Sequence, residues 1–179
     1  MYIGVVGDFH IPGRKREIPR EVLAILKEKK VERILCTGDL TTLSSIKILK
    51  EISPVECVRG EMDFLSLPTN KIIDIGNFKF GLIHGNPTEE YKTIDDYIRM
   101  FKEMNVNVLI YGHTHKQQDE IISDIVVLNP GSATGAWGIE PEESYPSFQI
   151  LDILPSAIEV ENYIIEPRHL RIKRNRYTY

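Results

Sequence analysis

Residues 2–10 read YIGVVGDFH, a short apolar run that ends in a glycine, a carboxylate and a histidine. A run of this length predicts a β-strand buried on both faces and followed at once by a polar loop. Two later segments repeat the pattern, RILCTGD at residues 33–39 and VECVRGEMD at residues 55–63. Apolar spacing and Pro19 and Pro54 predict helices between these strands, over residues 19–30 and 43–52. The β-α-β-α-β order indicates a parallel sheet.

The middle of the chain changes character. Apolar segments at residues 71–75 and 78–83 flank Gly76-Asn77, a pair typical of a β-hairpin turn. An amphipathic helix follows over residues 93–104, where Thr93 and Asp96 occupy the positions of a capping box.

The last third predicts strands. A strand over residues 106–111 precedes three segments rich in β-branched residues, at 120–128, 147–154 and 157–165, which we expect to be antiparallel. One domain is predicted over residues 1–166, followed by a basic C-terminal strand or tail at 167–179. Binding of phosphate or of an anionic membrane is one interpretation of that tail. A solvated last strand is the favoured one, so no site is assigned to it.

Composition excludes several classes of protein. The 179 residues are 42% hydrophobic and 27% charged, which is ordinary for a globular domain and not for a disordered or disulfide-stapled one. A net charge of −4 argues against a general nucleic-acid binder. Cys36 and Cys57 lie in apolar runs and are expected to be reduced core thiols. With no signal peptide and no long apolar run, we expect a soluble intracellular protein that reaches a membrane only through a partner.

Histidines carry the strongest functional signal. One histidine after a glycine is usually a structural turn residue, but here four of the five follow predicted strands in glycine-rich loops. Carboxylates occupy the same kind of position, and loops at the carboxyl ends of strands converge in α/β sheets. Imidazole and carboxylate together suit Mn, Fe or Zn, and two such ions would clamp a phosphate and activate a water. The candidate metal ligands are Asp8, His10, Asp39, Glu61, His84, His113 and His115, with Asp39 as the natural bridge.

In chain order, the motifs GDxH, GD, GExxD, HG and GHTH resemble those of the calcineurin-like metallophosphoesterase superfamily. The resemblance runs from Gly7 to about Leu154. It implies an α/β fold in which two packed β-sheets are flanked by helices, in four αββα layers. It also implies two sets of metal ligands for one or two divalent ions, Mn or Zn. The first set would be Asp8, His10, Asp39 and His115, and the second Asp39, Glu61, His84 and His113.

Longer phrases are similar to one branch of this superfamily, the small subunit of the retromer coat. The phrases are GDFHIP at 7–12, ILCTG at 34–38, GHTHK at 112–116 and PSF at 146–148. This branch implies a cytoplasmic protein, peripheral on endosome membranes through its complex. Its partner would be the helical-repeat subunit of retromer, vacuolar protein sorting-associated protein 35. Regulatory peptides would bind at an apolar patch near Ile150, although Ile150 also fits an ordinary core position.

Three positions bear on catalysis. Active superfamily enzymes have Asn where this chain has Glu61, whose charge disfavours an anionic substrate. Many have a histidine in place of Met62, which has no proton to give. Asp39, in contrast, agrees with the enzymes. From sequence we favour a scaffold subunit for endosome-to-Golgi transport, with a vestigial or weak dimetal site and no catalytic residues. The alternative is a Mn- or Zn-dependent metallophosphodiesterase.

Overall fold

A computed structural model describes residues 1–88, 90–91, 93–138 and 144–179. Its first half alternates strands and helices as the sequence predicts. The elements are β1 (Tyr2–Val6), α1 (Arg20–Glu28), β2 (Arg33–Cys36), α2 (Leu43–Lys50) and β3 (Val55–Cys57). Strands β1, β2 and β3 pair in parallel. Cys36 and Cys57 are register partners on β2 and β3, and both are buried and free.

The second half begins with a hairpin and a helix. The elements are β4 (Asn70–Ile75), β5 (Phe78–Ile83), α3 (Ile94–Glu103), β6 (Val108–Ile110), β7 (Gln118–Ile122) and β8 (Ile125–Asn129). Three long strands end the chain, β9 (Ser147–Ile153), β10 (Ala157–Glu166) and β11 (His169–Thr178). The predicted capping box is present, because Thr93 Oγ1 accepts the backbone N–H of Asp96 and the Asp96 carboxylate accepts that of Thr93.

The strands form two packed sheets, which confirms the predicted fold class. One sheet has the order β11-β10-β9-β1-β2-β3 and the other β4-β5-β6-β8-β7. An apolar core that includes Val5, Phe80 and Leu151 lies between the sheets. A second core, around Leu26 and Phe148, includes side chains from α1 and α2, and a third, around Phe101, includes those of α3. The layers are therefore helices, sheet, sheet and helix.

The single strand predicted over residues 120–128 is wrong. The segment is a hairpin, in which Ile122 faces Ile125 across a two-residue turn at Ser123 and Asp124. Both turn residues have positive φ, 50° and 65°, as a tight hairpin turn requires. Ser123 and Asp124 interrupt the β-branched run, but this pair lacks the Asn-Gly or Asp-Gly signal of a hairpin turn. Strand β8 also pairs in parallel with β6, so this part of the chain is not purely antiparallel.

The basic C-terminal segment forms the edge of the larger sheet. Strand β11 pairs with β10 over ten consecutive residues, from Glu166–His169 to Ala157–Thr178. Its basic side chains are mostly exposed and make ion pairs with carboxylates such as Glu161, Glu159 and Asp119. Among the described residues, no helix is both long and apolar enough to cross a membrane.

Candidate metal centre

Seven predicted ligand side chains meet at one end of the two sheets. They follow β1, β2 and β3 in the larger sheet and β5 and β6 in the smaller one. The carboxyl ends of these parallel strands point in one direction, so the loops that leave them face each other. Three groups of ligand atoms each lie within 4.8 Å: Asp8, His10 and His115; Glu61, His84 and His113; and Asp8, Asp39 and His84.

The first group is buried. Nε2 of His10 lies 3.1 Å from Nε2 of His115, and the latter lies 3.4 Å from Oδ1 of Asp8. Nε2 of His10 is also 3.3 Å from Oδ2 of Asp39. At 3.1 Å the two Nε2 atoms face the same small volume. Each directs either a lone pair or a proton into it.

The second group is more open. Nδ1 of His113 lies 3.2 Å from Oε2 of Glu61, whose side chain is 39% exposed. Nε2 of His84 lies 3.4 Å from Oδ2 of Asp39. Because the same oxygen of Asp39 also lies close to His10, this carboxylate stands between the two groups. That is the place of a bridging ligand, as the sequence suggested for Asp39.

The spacing of these atoms fits a divalent ion. Metal–nitrogen bonds of about 2.0–2.1 Å at tetrahedral or octahedral angles place neighbouring ligand atoms about 2.9–3.4 Å apart. In addition, Oδ2 of Asp8 is buried without a hydrogen-bond partner in the described part of the chain, and Nε2 of His84 has only the carboxylate of Asp39 beside it, at 3.4 Å. Burying a carboxylate oxygen unpaired is costly, and a bound cation would satisfy it. The donor set therefore fits Mn²⁺ or Zn²⁺.

Backbone carbonyls fix the orientation of two of the rings. Nδ1 of His84 lies 2.8 Å from the carbonyl of Thr37, and Nδ1 of His115 lies 2.7 Å from that of Ala136. A carbonyl only accepts, so Nδ1 carries the proton and donates it, and in the neutral ring Nε2 is free to ligate. Thr37 and Ala136 were not predicted from the sequence, because each contact uses a backbone carbonyl, which has no residue-specific signal.

The ligand loops have an uncommon backbone conformation. Positive φ values between 50° and 67° occur at five of the seven ligands, namely Asp8, His10, Asp39, His113 and His115. Side chains rarely adopt this left-handed region, and such strain clusters at functional sites. The surrounding hydrogen bonds hold these loops in place: His10 N–H donates to the carbonyl of Asp39, and Asp8 N–H to that of Gly38, both at 2.9 Å.

Two glycines make the close approach of the loops possible. A Cβ on Gly60 would lie 2.1 Å from Oδ1 of Asp39, and one on Gly112 would lie 2.6 Å from Oδ2 of Asp8. Neither position has room for a side chain. The glycines in these motifs are therefore required by the ligands that they adjoin.

Asp63 ties two ligand loops together. Its carboxylate accepts the backbone N–H of Gly60 at 2.9 Å and that of Thr41 at 2.8 Å. The backbone N–H of Met62 donates to Oδ1 of Asp39 at 2.8 Å, which leaves Oδ2 directed at the histidines. Asp63 is thus a positioning residue for Asp39 and Glu61.

The four histidines of the site differ in the direction in which their pKa is shifted. Burial lowers the pKa of His10 to about 4, which outweighs the opposite effect of Asp39. Burial also lowers the pKa of His113, against the charge of Glu61. Burial alone would lower the pKa of His84, but the hydrogen bond to Asp39 and the charges of Asp8 and Asp39 raise it to about 9. In the same way the bond to Asp8 outweighs burial and raises the pKa of His115. Before an ion binds, a proton on His84 therefore faces the carboxylate of Asp39.

The eighth predicted site residue, Ile150, lies elsewhere. It has no exposed surface and belongs to the apolar core that α1 covers. Above it is a cavity of about 270 Å³ whose wall includes Asp152, Glu161 and Arg174, so the rim is charged. Ile150 lies in the wall of this cavity with Tyr2 and Val160, although its side chain has no exposed surface. Peptide binding near it stays a prediction.

Comparison with known proteins agrees with this geometry. The family model "Calcineurin-like phosphoesterase superfamily domain" matches residues 1–154. A probable metallophosphoesterase of Methanothermobacter thermautotrophicus is 38% identical over 168 residues, which cover 90% of this chain and 91% of the relative.

Solved structures of Vps29 (vacuolar protein sorting 29) match the whole chain. Wild-type Vps29 of Entamoeba histolytica, complexed with Zn²⁺, is 33% identical with a TM-score of 0.89, over 98% of this chain and 99% of that one. Vps29 of Chaetomium thermophilum, complexed with a cyclic peptide, is 28% identical with a TM-score of 0.83, over 99% and 97%.

Proposed function

The chain belongs to the calcineurin-like phosphoesterase superfamily, and we propose that it is a metal-dependent phosphoesterase that hydrolyses a small phosphodiester. The observation that carries this proposal is the complete set of ligand side chains, which form two adjoining groups with neighbouring atoms 3.1–3.4 Å apart. The buried Oδ2 of Asp8, which has no hydrogen-bond partner in the described part of the chain, supports it, because a bound cation would satisfy this oxygen.

The ligands divide into two sets that share Asp39. We assign Asp8, His10, Asp39 and His115 to one divalent ion, and Asp39, Glu61, His84 and His113 to a second. Bound divalent ions supply Lewis acidity, which polarises a phosphoryl oxygen and makes a water more acidic. The backbone carbonyls of Thr37 and Ala136 keep the Nε2 atoms of His84 and His115 directed inward.

Two side chains near this set favour a diester with an acidic leaving group. Glu61 brings a negative charge to the open side, which repels a dianionic monoester more than a monoanionic diester. Met62, 41% exposed beside it, has no proton to donate to a departing alkoxide. We therefore expect turnover of phosphodiesters whose leaving group is stable as an anion.

From the sequence we favoured a scaffold over an enzyme, and we now place the enzyme first. Catalytic inactivity was expected from Glu61, Met62 and the retromer-like phrases, and it stays a prediction. The reversal rests on the completeness of the ligand set. The 38% identical relative, described as a probable metallophosphoesterase, supports it.

A retromer-type scaffold is the second candidate function. The likeness to Vps29 over nearly the whole chain favours it, as does the cyclic peptide held by one of these structures. Two exposed apolar side chains after β3 also favour it, Met62 (41% exposed) and Phe64 (93% exposed), because they lie beside the ligand Glu61. In this role the partner would be vacuolar protein sorting-associated protein 35, and the protein would be cytoplasmic, on endosome membranes through the complex.

Hydrolysis of bis(p-nitrophenyl) phosphate tests the first proposal. We expect turnover with Mn²⁺ that a chelator abolishes, and a loss of about 100-fold or more in His84→Asn. His169→Asn is the matched control, because His169 is the one histidine outside the centre and is exposed on β11. Metal-independent turnover, or full turnover in His84→Asn, would refute the proposal.

Calorimetric titration with the carboxyl-terminal half of vacuolar protein sorting-associated protein 35 tests the scaffold. Submicromolar binding that Phe64→Ser weakens would establish it, and absence of binding would reject it. Because the two assays use different readouts, one result does not decide the other.

A further inference from the structure

A large cavity adjoins the open side of the metal centre. Its volume is about 730 Å³, within the range of small-molecule sites, and its wall includes Arg59, Gly60 and Glu61 on one side. Thr88 and Tyr91, from the segment before α3, line the other side. Glu61 belongs to both the cavity and the metal-ligand set. A phosphoester held by those ligands would therefore extend one of its organic groups into this cavity.

The cavity wall offers an aromatic face. The ring of Tyr91 stacks on that of Tyr97, with centroids 5.2 Å apart and planes at 25°. Tyr97 is buried and its hydroxyl donates to the carbonyl of Asn86 at 2.6 Å, so it is a fixed support for the half-buried Tyr91. Such a platform is suited to a planar ring, and polar groups of Thr88 and Asn70 lie in the same wall.

The cavity wall also includes the cationic side chain of Arg59, together with the carboxylates of Glu61, Asp63 and Glu90. The guanidinium of Arg59 is exposed and makes no ion pair or side-chain hydrogen bond within the described ranges. The backbone N–H of Arg59 donates to the carbonyl of Pro68 at 2.7 Å, which fixes its position next to Glu61. Arginine is suited to bidentate binding of phosphate oxygens, and here it opposes the repulsion from Glu61.

We propose that the substrate is a nucleotide-type phosphodiester, with its base stacked on Tyr91 in this cavity and its outward phosphate oxygens held by Arg59. This inference rests on the proposed function and names the substrate class of the same site. Stacking on an aromatic ring accepts any base, so a preference for nucleotides over other phosphoesters is expected rather than a preference for one base.

Equilibrium binding tests this inference without relying on turnover. Calorimetry of the full chain with Mn²⁺ would compare adenosine 5′-monophosphate with ribose 5-phosphate, which lacks the base but has the same monoester charge, so that repulsion from Glu61 affects both probes equally. We expect the nucleotide to bind about tenfold more tightly or better. Tyr91→Ala should reduce this ratio to near one, while Tyr91→Phe should keep it. Equal affinities in the wild type, or an unchanged ratio in Tyr91→Ala, would overturn the inference.

Substitution of Arg59 should change binding in a different way from substitution of Tyr91. Arg59→Gln should weaken binding of both probes by about tenfold and leave their ratio intact. Arg168→Gln, at the exposed turn between β10 and β11, is the matched control and should change neither. Unaltered affinities in Arg59→Gln would overturn the role of Arg59.

The same preparation separates this inference from the proposed function. Hydrolysis of bis(p-nitrophenyl) phosphate without any preference for the base would overturn the inference alone. A clear preference for the base without hydrolysis would support the cavity as a nucleotide site and refute the enzyme.

Discussion

Raising the pH should strengthen binding of a divalent ion, and His84 should account for most of the change. Its pKa is raised to about 9, so the ring is protonated at neutral pH. Nδ1 donates to Thr37, so the second proton is on Nε2, the atom that would ligate. An entering ion must displace that proton. Since the pKa of His10 is lowered to about 4, that ring is already neutral and releases none.

The magnitude follows from the pKa. Below pH 9, displacement of one proton weakens metal binding by about tenfold, or roughly 1.4 kcal/mol, for each pH unit. At pH 7 the affinity should therefore be about 100-fold below its limit. The raised pKa of His115 adds to the release in the same direction.

Calorimetry with Mn²⁺ measures this directly. Titrations at pH 7 in buffers of different ionisation enthalpy give the number of protons released, and we expect about one or more. Affinity should rise steadily between pH 6.5 and 8.5. His84→Gln should remove most of the release, and His169→Gln, the control on β11, should remove none. Zero proton release together with an affinity that does not change with pH would refute the reasoning.

The stability of the metal-free protein gives a second readout of the same proton. The folded-state pKa of His84, about 9, lies above the usual value of 6.5, so protonation stabilises the fold. The contribution is fully present below pH 6.5 and is lost as the pH rises through 9. It amounts to about 3 kcal/mol, or roughly 6–12 °C in melting temperature for a chain of this size. Saturation with Mn²⁺ should reduce this loss.

Three substitutions give further tests. Glu61→Asn should raise turnover of a phosphodiester with Mn²⁺ by about tenfold, because it removes a negative charge that repels the substrate by roughly 1–2 kcal/mol. Turnover at or below that of the wild type would contradict this. Asp63→Ala leaves the N–H groups of Gly60 and Thr41 unpaired, so denaturant unfolding should show a loss of about 1–3 kcal/mol and metal affinity should fall; an unchanged midpoint would count against it. Ile150→Asp places a carboxylate at a position without exposed surface, so circular dichroism should show unfolding or a loss of stability above about 4 kcal/mol; a loss under about 1 kcal/mol would mean that Ile150 is accessible.

The alternation of strands and helices was predictable because its signals are local. Strands β1 and β5 have the bounds that their apolar runs predict, and Thr93 begins α3 as its capping box indicates. The turn at Ser123 and Asp124 was missed because it has no such local signal. Its left-handed backbone has no Asn-Gly signal, and the β-branched pattern continues on both sides.

The position of Ile150 shows what the alternation of residues along a strand does not predict. Alternation correctly places Phe148 and Ile150 on one face of β9 and Leu151 and Ile153 on the other. It does not tell which face is exposed. Both faces of β9 are covered here. One packs in the core that includes side chains of α1 and α2, and the other packs in the core between the two sheets.

The residue types of the candidate metal centre were predictable from the chain alone, because each predicted ligand is recognised from its own loop and its own chemistry. Which ligand atoms face a common point depends on how the two sheets pack. His10 and His115 are 105 residues apart in the chain, yet their Nε2 atoms lie 3.1 Å apart. Ring orientation and pKa depend on such distances through space, and on carbonyls such as that of Thr37. No local pattern encodes those contacts, so they appear only when the two sheets pack.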